Sequence, residues 1–261
     1  MQRVLVFQTA FTGDVILTLP MIQRLKHTLP EVLIDVVATP VGAAVLANHP
    51  AVDQIIPYDK KKTERGLLPA LRLARRLRTR AYDVAIIPHR SIRSAGLCYA
   101  AGIPRRIGFS TSAGRFLLTD VVPYDGTSHE IRRNMALREP LGIVPNPGEL
   151  PSLYPSAGDV QVVERLLDGW NVRQHQHMIA IAPGSVWATK RWLPERYHEL
   201  ALRLTEEGFA VVLIGGKEDV TLGEQIAAEL APHTVLNAMG ALTVLQSAEL
   251  IRRCRVAVTN D

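Results

Sequence analysis

Short apolar runs rich in β-branched residues recur along this chain, separated by longer stretches with helical spacing, and few folds accommodate that alternation. A strand that is apolar along its whole length must be covered on both faces, which the crossover helices of a parallel sheet provide. In the first half, residues 4–7, 33–37, 54–56 and 84–87 read as strands. After the first of them Ile16, Leu19, Ile22, Leu25 and Leu29 fall on one helical stripe, which Pro20 is expected to kink or to restart. Further helices are expected near 66–79, 91–101 and 128–141. Residues 145–158 hold four prolines and two glycines and read as a linker. Beyond it the alternation resumes, with strands at 178–182, 210–214, 235–236 and 256–258 and helices near 159–169, 195–207, 218–230 and 244–253. The expectation is two wound α/β domains, 1–155 and 156–261, facing a cleft with ligands at the carboxyl ends of the strands. The last strand is followed by no covering helix, so the second domain is expected to be cut short at Asp261.

Composition narrows the function classes. With 47% hydrophobic residues in 261, the chain can bury two cores of ordinary size. Its two cysteines, Cys98 and Cys254, have no zinc-type spacing and make no disulfide framework. No apolar run approaches the roughly 20 residues that span a bilayer. Met1-Gln2-Arg3 runs straight into the first strand without the pattern of an export signal, so a cytoplasmic protein is expected. The net charge of +5 is unevenly divided: residues 1–155 carry +8 and residues 156–261 carry −3. A basic lobe attracts anionic partners, and charge by itself does not choose among nucleic acid, phospholipid and acidic glycan.

Three loops carry residues suited to chemistry. Gln8-Thr9-Ala10-Phe11-Thr12-Gly13-Asp14 leads from the first strand into the first helix; Asp14 is placed to cap that helix or to act as a general base, and the two roles are compatible. The run from Ala182 to Glu195 includes Gly184, Ser185, Thr189 and Lys190, the backbone donors, hydroxyls and point charge of a diphosphate cradle, although its glycine spacing is not that of a P-loop. Trp187 and Trp192 can be packing residues within it. Gly215-Gly216-Lys217-Glu218-Asp219 allows close approach of a nucleotide and supplies an acid for ribose hydroxyls. His175-Gln176-His177 reads as an exposed loop, and no Asp-x-Asp pair offers a metal site.

Together Thr12-Gly13-Asp14-Val15 with Leu19-Pro20, Gly102-Ile103-Pro104-Arg105-Arg106-Ile107-Gly108-Phe109, Pro183-Gly184-Ser185 with Thr189-Lys190-Arg191-Trp192, Gly215-Gly216 with Glu218-Asp219, and Thr259-Asn260-Asp261 resemble glycosyltransferase family 9, the lipopolysaccharide heptosyltransferases, in order along the whole chain. The resemblance implies the two-lobed GT-B fold of Rossmann-like domains and inverting transfer without metal or cofactor. It also implies ADP-heptose as donor on the second domain and a lipopolysaccharide core acceptor on the first. Residue by residue it makes Asp14 the base and places Gly184, Ser185, Thr189, Lys190, Glu218 or Asp219, and Asp261 on the donor. Thr12, Gly13, Arg105 and Arg106 fall to the acceptor. Leu193 departs from the family, which usually has proline directly after the tryptophan; here Pro194 comes one step later. The acceptor sugar is either the first Kdo or a previously added heptose, and the second is the preferred expectation. A sister transferase using another nucleotide sugar, or a two-lobed binding protein without chemistry, are the alternatives. The absence of any Gly-x-Gly-x-x-Gly after a strand argues against a dehydrogenase.

One expectation joins the charge to the acceptor. Residues 67–80 read as an amphipathic helix with Leu67, Leu71, Ala74 and Leu77 on one stripe and Arg72, Arg75, Arg76 and Thr79 on the other, preceded by Lys60, Lys61 and Lys62. Arg115 lies further along the same lobe. The basic lobe is expected to sit on the anionic inner face of the inner membrane as a peripheral protein, with no role for nucleic acid.

Overall fold

The apolar runs form strands because each alternates its side chains between two covered faces. In the computed structural model, residues 1–59, 65–144, 148–170 and 177–260 are described. Lys60, Lys61, Lys62, His175, Gln176, Asp261 and the linker residues 145–147 lie outside them. The chain divides into two compact units, Met1–Tyr154 and Pro155–Asp261.

In the first unit β1 (Arg3–Gln8) is followed by α1 (Thr12–Ile16), α2 (Leu19–Thr28), β2 (Leu33–Ala38), α3 (Pro40–Leu46) and β3 (Gln54–Pro57). Then come α4 (Leu67–Arg78), β4 (Val84–Ile87), α5 (Ile92–Ala100), β5 (Arg105–Phe109), β6 (Asp120–Val122) and α6 (Glu130–Ala136). The strands form a parallel sheet in the order β3-β2-β1-β4-β5-β6, so the winding reverses between β1 and β4. Leu5, Phe7, Val37, Ile56, Ala85 and Ile87 point to one face, against Leu73, Leu77, Leu97 and Cys98 of α4 and α5. The alternate residues Val4, Val6, Ile34, Val36 and Ile86 are equally buried.

Pro20 acts by restarting the helix. It takes one of the first two positions of α2, where its missing N–H costs nothing, and α1 ends at the Leu17 cap. The expected helix over 128–141 stops at Ala136 and resumes as a 3₁₀ turn over Glu139–Leu141, because Pro140 cannot continue an α-helix. In α4 the expected stripe is corrected. Leu73, Ala74 and Leu77 are buried, whereas Leu67 is 75% and Leu71 44% exposed. At 3.6 residues per turn, Leu67 and Leu71 swing away from the arc that Leu73 and Leu77 define.

In the second unit the order is α7 (Ala157–Trp170), β7 (Met178–Ala182), α8 (Pro194–Glu206), β8 (Ala210–Leu213), α9 (Val220–Ala227), β9 (Val235–Asn237), α10 (Val244–Arg252) and β10 (Val256–Thr259). The sheet is again parallel, β10-β7-β8-β9, and reverses between β7 and β10. Ala180, Ala210 and Val212 face Val163, Trp170 and Leu250; Ile181, Val211 and Leu213 face Tyr197, Ala201 and Ile226. Pro194 opens α8, and Thr243 with Gln246 closes a reciprocal capping box on α10.

Candidate functional site

In each unit, ligand-binding loops belong at the carboxyl end of the sheet where the winding reverses, because there two successive loops diverge and leave an opening. In the first unit these loops follow β1 and β4. Thr12 opens α1, and a side chain at Gly13 would meet nothing within 4 Å. Asp14 is half-buried, and its Oδ2 accepts the N–H of Phe11 at 3.0 Å, which realises the cap. The Asp14 carbonyl accepts the Thr18 hydroxyl at 2.7 Å, and that hydroxyl in turn accepts from Gln8 Nε2 at 3.0 Å. Asn134 of α6 donates to the Leu17 carbonyl at 3.1 Å. Gln8, Thr18 and Asn134 are at most 2% exposed, so a buried polar brace holds the turn that carries Asp14.

His89, directly after β4, ties the two loops together. Its Nδ1 lies 3.2 Å from the Phe7 carbonyl, which can only accept, so Nδ1 carries a proton. In the neutral ring Nε2 then accepts, facing the Ser94 hydroxyl at 3.0 Å and the Thr9 hydroxyl at 3.4 Å. Neither His89 nor the Gln8–Asn134 brace was singled out by local pattern; the only signal is that Gln8 and His89 flank strand ends.

Arg105 and Arg106 stand elsewhere. They open β5, level with Val84 and Ala85 at the start of β4, and so lie at the amino end of the sheet, opposite the Asp14 turn. Arg105 grips Asp120 with Nε at 3.1 Å and Nη2 at 2.9 Å and donates to the Pro140 carbonyl at 2.5 Å. Arg106 donates to the carbonyls of Leu117 at 2.6 Å and of Ile103, and covers the ring of Tyr99. Both guanidinium groups staple the chain around β5, and the structure does not bring them to the Asp14 turn.

In the second unit the loops after β7 and β8 meet the residue after β10. Ser185 lies in the β7 loop, its Oγ accepting the N–H of Trp187 at 3.3 Å and its carbonyl accepting Arg191 Nε at 2.7 Å. Thr189 and Lys190 lie on an exposed 3₁₀ turn, Ala188–Lys190. Asn260 laces this loop shut. Its Nδ2 donates to the Pro183 carbonyl at 2.5 Å, and its Oδ1 accepts from the Trp192 N–H at 3.0 Å and the Tyr197 hydroxyl at 2.8 Å. Trp192 stacks edge-on against Tyr197 with ring centroids 5.0 Å apart.

Behind the loop, Asp219 accepts the Gly216 N–H at 2.9 Å. A Cβ at Gly184 would fall 2.6 Å from the Asp219 carboxylate, and one at Gly215 would fall 2.9 Å from it, so both glycines are required by close packing. Asp219 thus packs the β8 loop closely against the β7 loop, whereas Glu218 is exposed. Gly184 and Asp219 are brought together, with Ser185, Thr189 and Lys190 further along the β7 loop and Glu218 beside Asp219; Asp261 lies outside the described residues. Burial pushes the Cys98 thiol up to about 12 and that of Cys254 up to about 11, which leaves neither as a nucleophile. Among the described residues no cluster of His, Cys, Asp and Glu is arranged to hold a metal, and no helix is long and apolar enough to cross a membrane.

Two parallel α/β units, each wound outward from a central first strand and carrying its loops at the carboxyl end, are the Rossmann-like halves of the GT-B fold of glycosyltransferases. Residues 70–261 match the profile of glycosyltransferase family 9 (heptosyltransferase), and the chain belongs to that family. It is 29% identical to lipooligosaccharide heptosyltransferase 2 of Haemophilus ducreyi over 99% of this chain and 77% of that protein. It superposes on the structure of E. coli ADP-heptose lps heptosyltransferase II with a TM-score of 0.82, at 28% identity, covering 100% of this chain and 79% of that one. The family 9 glycosyltransferase of Veillonella parvula shares the fold with a TM-score of 0.91 at 23% identity, covering 99% of this chain and 75% of its own.

Proposed function

We propose that this glycosyltransferase moves heptose from ADP-heptose onto the inner core of lipopolysaccharide, with a previously added heptose as acceptor, at the cytoplasmic face of the inner membrane. The observation that carries the reading is the laced loop after β7 in the second unit, which Asn260 ties at Pro183 and Trp192 and Asp219 packs against at Gly184, and which also carries Ser185, Thr189 and Lys190. The similar proteins of H. ducreyi and E. coli carry names that specify the second heptosyltransferase and, in one case, ADP-heptose, which supports the choice of donor and acceptor.

In this reading the second unit binds the donor. Lys190, the hydroxyls of Ser185 and Thr189 and the backbone at Gly184 take the diphosphate, and Asp261 contributes to the same site. Glu218 takes the ribose, because the Asp219 carboxylate is already committed to the Gly216 N–H and the packing of Gly184 and Gly215. The first unit binds the acceptor at Thr12 and Gly13, where the open surface over Gly13 admits a sugar.

Asp14 removes the proton from the attacking hydroxyl, whose oxygen bonds to the anomeric carbon as the bond to ADP breaks on the opposite face, inverting that centre. The negative charge that develops on ADP is met by Lys190 and by oriented donors rather than by a metal ion, an electrostatic contribution that grows toward the transition state. No cofactor is needed, since the donor carries the group to be moved.

The test uses the full chain with ADP-heptose and a core acceptor, reading ADP release and a product heavier by one heptose. Transfer from a different nucleotide sugar in preference to ADP-heptose would identify a sister transferase. Tight ADP-heptose binding without turnover under saturating acceptor would identify a binding protein.

A further inference from the structure

We propose that the outer face of α4, with the groove it forms against α5, docks on an anionic lipid bilayer, Leu67, Leu68 and Leu71 entering the acyl boundary while Arg72, Arg75 and Arg76 meet lipid phosphates. The inference rests on reading the acceptor as lipid-borne and names the surface that reaches it.

An amphipathic helix normally turns its leucines inward. Here Leu67, Leu68 and Leu71 are 75%, 69% and 44% exposed, and Ile92 at the start of α5 is 51% exposed. Beside them a groove of about 420 Å³ is lined by Leu67, Ala70, Leu71, Gly96 and Ala100, with Arg93 among its lining. The exposed surface of α4 follows two rows at four-residue spacing, Leu67–Leu71–Arg75 and Leu68–Arg72–Arg76. Both rows change from apolar to cationic along the helix. At 1.5 Å per residue the last arginines stand about 12 Å beyond the first leucines. With the helix axis inclined steeply to the bilayer, that separation sets the leucines below the phosphates while the guanidinium groups stay level with them.

Charge selects the occupant. The face and its groove carry Arg72, Arg75, Arg76 and Arg93, and the one acid among residues 65–119, Asp83, has its carboxylate occupied by the N–H groups of Gln2 and Arg3. Among the described residues none of Arg72, Arg75, Arg76 and Arg93 forms an ion pair. A second copy of this face would oppose arginine to arginine. Nucleic acid would engage the cations and leave the leucines in water, whereas an anionic bilayer satisfies both. Topology places the face usefully: α4 returns from the end of β3 to the start of β4, so its first turn lies at the carboxyl end of the sheet, the same end as the Asp14 turn. A membrane-anchored acceptor would thus present its sugars toward that end.

The test compares the full wild-type chain with L67S/L68S/L71S and R72Q/R75Q/R76Q, all at positions exposed enough to leave folding intact, which the thermal midpoint checks. Partition onto phosphatidylcholine vesicles containing phosphatidylglycerol should fall about tenfold or more for the leucine variant and about a hundredfold for the arginine variant. The arginine contribution should fade with salt and the leucine contribution persist. Transfer to an acceptor embedded in those vesicles should fall with partition, while transfer to a deacylated, soluble acceptor stays at the wild-type rate. Undiminished partition of the leucine variant overturns the proposal, as does a wild-type dimer that the leucine variant converts to monomer. If the wild type partitions as expected yet transfers heptose to neither acceptor, the functional reading falls and the docking face stands.

Discussion

Asn260→Ala should cost the second unit both stability and ligand affinity, because one side chain makes three contacts across the loop. Alanine removes the donor to the Pro183 carbonyl and the acceptor shared by the Trp192 N–H and the Tyr197 hydroxyl. The Trp192 N–H lies in an exposed part of the loop and can turn to water, so its loss is worth about 0.5–1.5 kcal/mol, whereas Pro183 is buried and stranding its carbonyl costs about 1–3 kcal/mol. Tyr197 is only 1% exposed, and stranding its hydroxyl carries a desolvation penalty of about 1–3 kcal/mol. The unfolding transition of the second unit should therefore drop by about 2.5–7.5 kcal/mol, the sum of the three losses. Denaturant titration followed by tryptophan fluorescence reads this directly, since Trp187 and Trp192 sit in the loop and Trp170 in the core.

Calorimetry should show ADP binding weakened by about tenfold as the cradle loosens, equivalent to about 1.4 kcal/mol. Tyr197→Phe removes the stranded hydroxyl, so the double variant should be more stable than the sum of the two losses predicts. Asn260→Asp keeps both acceptor contacts but sets a carboxylate against the Pro183 carbonyl, isolating the contribution of the donor. An Asn260→Ala protein that unfolds within about 0.5 kcal/mol of wild type and binds ADP equally well would refute the lacing argument.

Asp14→Asn retains an oxygen for the Phe11 N–H but not the basicity, so turnover should fall by about 10²–10⁴ with stability and ADP affinity unchanged; wild-type turnover would leave Asp14 a cap only. Lys190→Ala should weaken ADP binding in calorimetry and lower kcat as well, because the cation meets more charge as the donor bond breaks; unchanged ADP affinity contradicts its place in the cradle. Glu249, buried in α10 and clasped by Arg252 and Arg253, has its carboxyl held down to about 2 by those hydrogen bonds and charges. A depressed folded pKa stabilises above the ordinary value of 4.5 and is lost as pH falls toward 2, so, with Arg252 largely exposed and screened, Glu249→Gln should cost about 1–2 kcal/mol at neutral pH and progressively less between pH 4.5 and 2 in acid-denaturation curves.

What could be read from local pattern was the architecture. Strand periodicity and helix spacing depend on residues a few positions apart, so β4 and β7 fall where the apolar runs are, and Pro20 and Pro194 open helices for a reason internal to proline. β5 and β6 escaped because one begins with two arginines and the other with an aspartate that pairs with the first of them, charges that only the sheet edge explains. The glycine and hydroxyl pattern around Gly184 and Gly215 was visible as well, since the need for backbone donors near a phosphate is written into residue type.

The rest was decided by contacts between distant parts of the chain. Asn260 meets Pro183 from 77 residues away, and His89 meets Phe7 from 82; Asn260 stands in a stretch that carries the family resemblance, but its lacing role, like that of His89, has no neighbourhood signature. The resemblance assigns Arg105 and Arg106 to the acceptor, and only the tertiary structure shows them bonded to Asp120, Pro140 and Leu117 at the far end of the sheet. Likewise the spacing of Leu67 and Leu71 specified an apolar stripe but not its partner, because periodicity encodes which residues share a face and only packing determines what, if anything, covers that face.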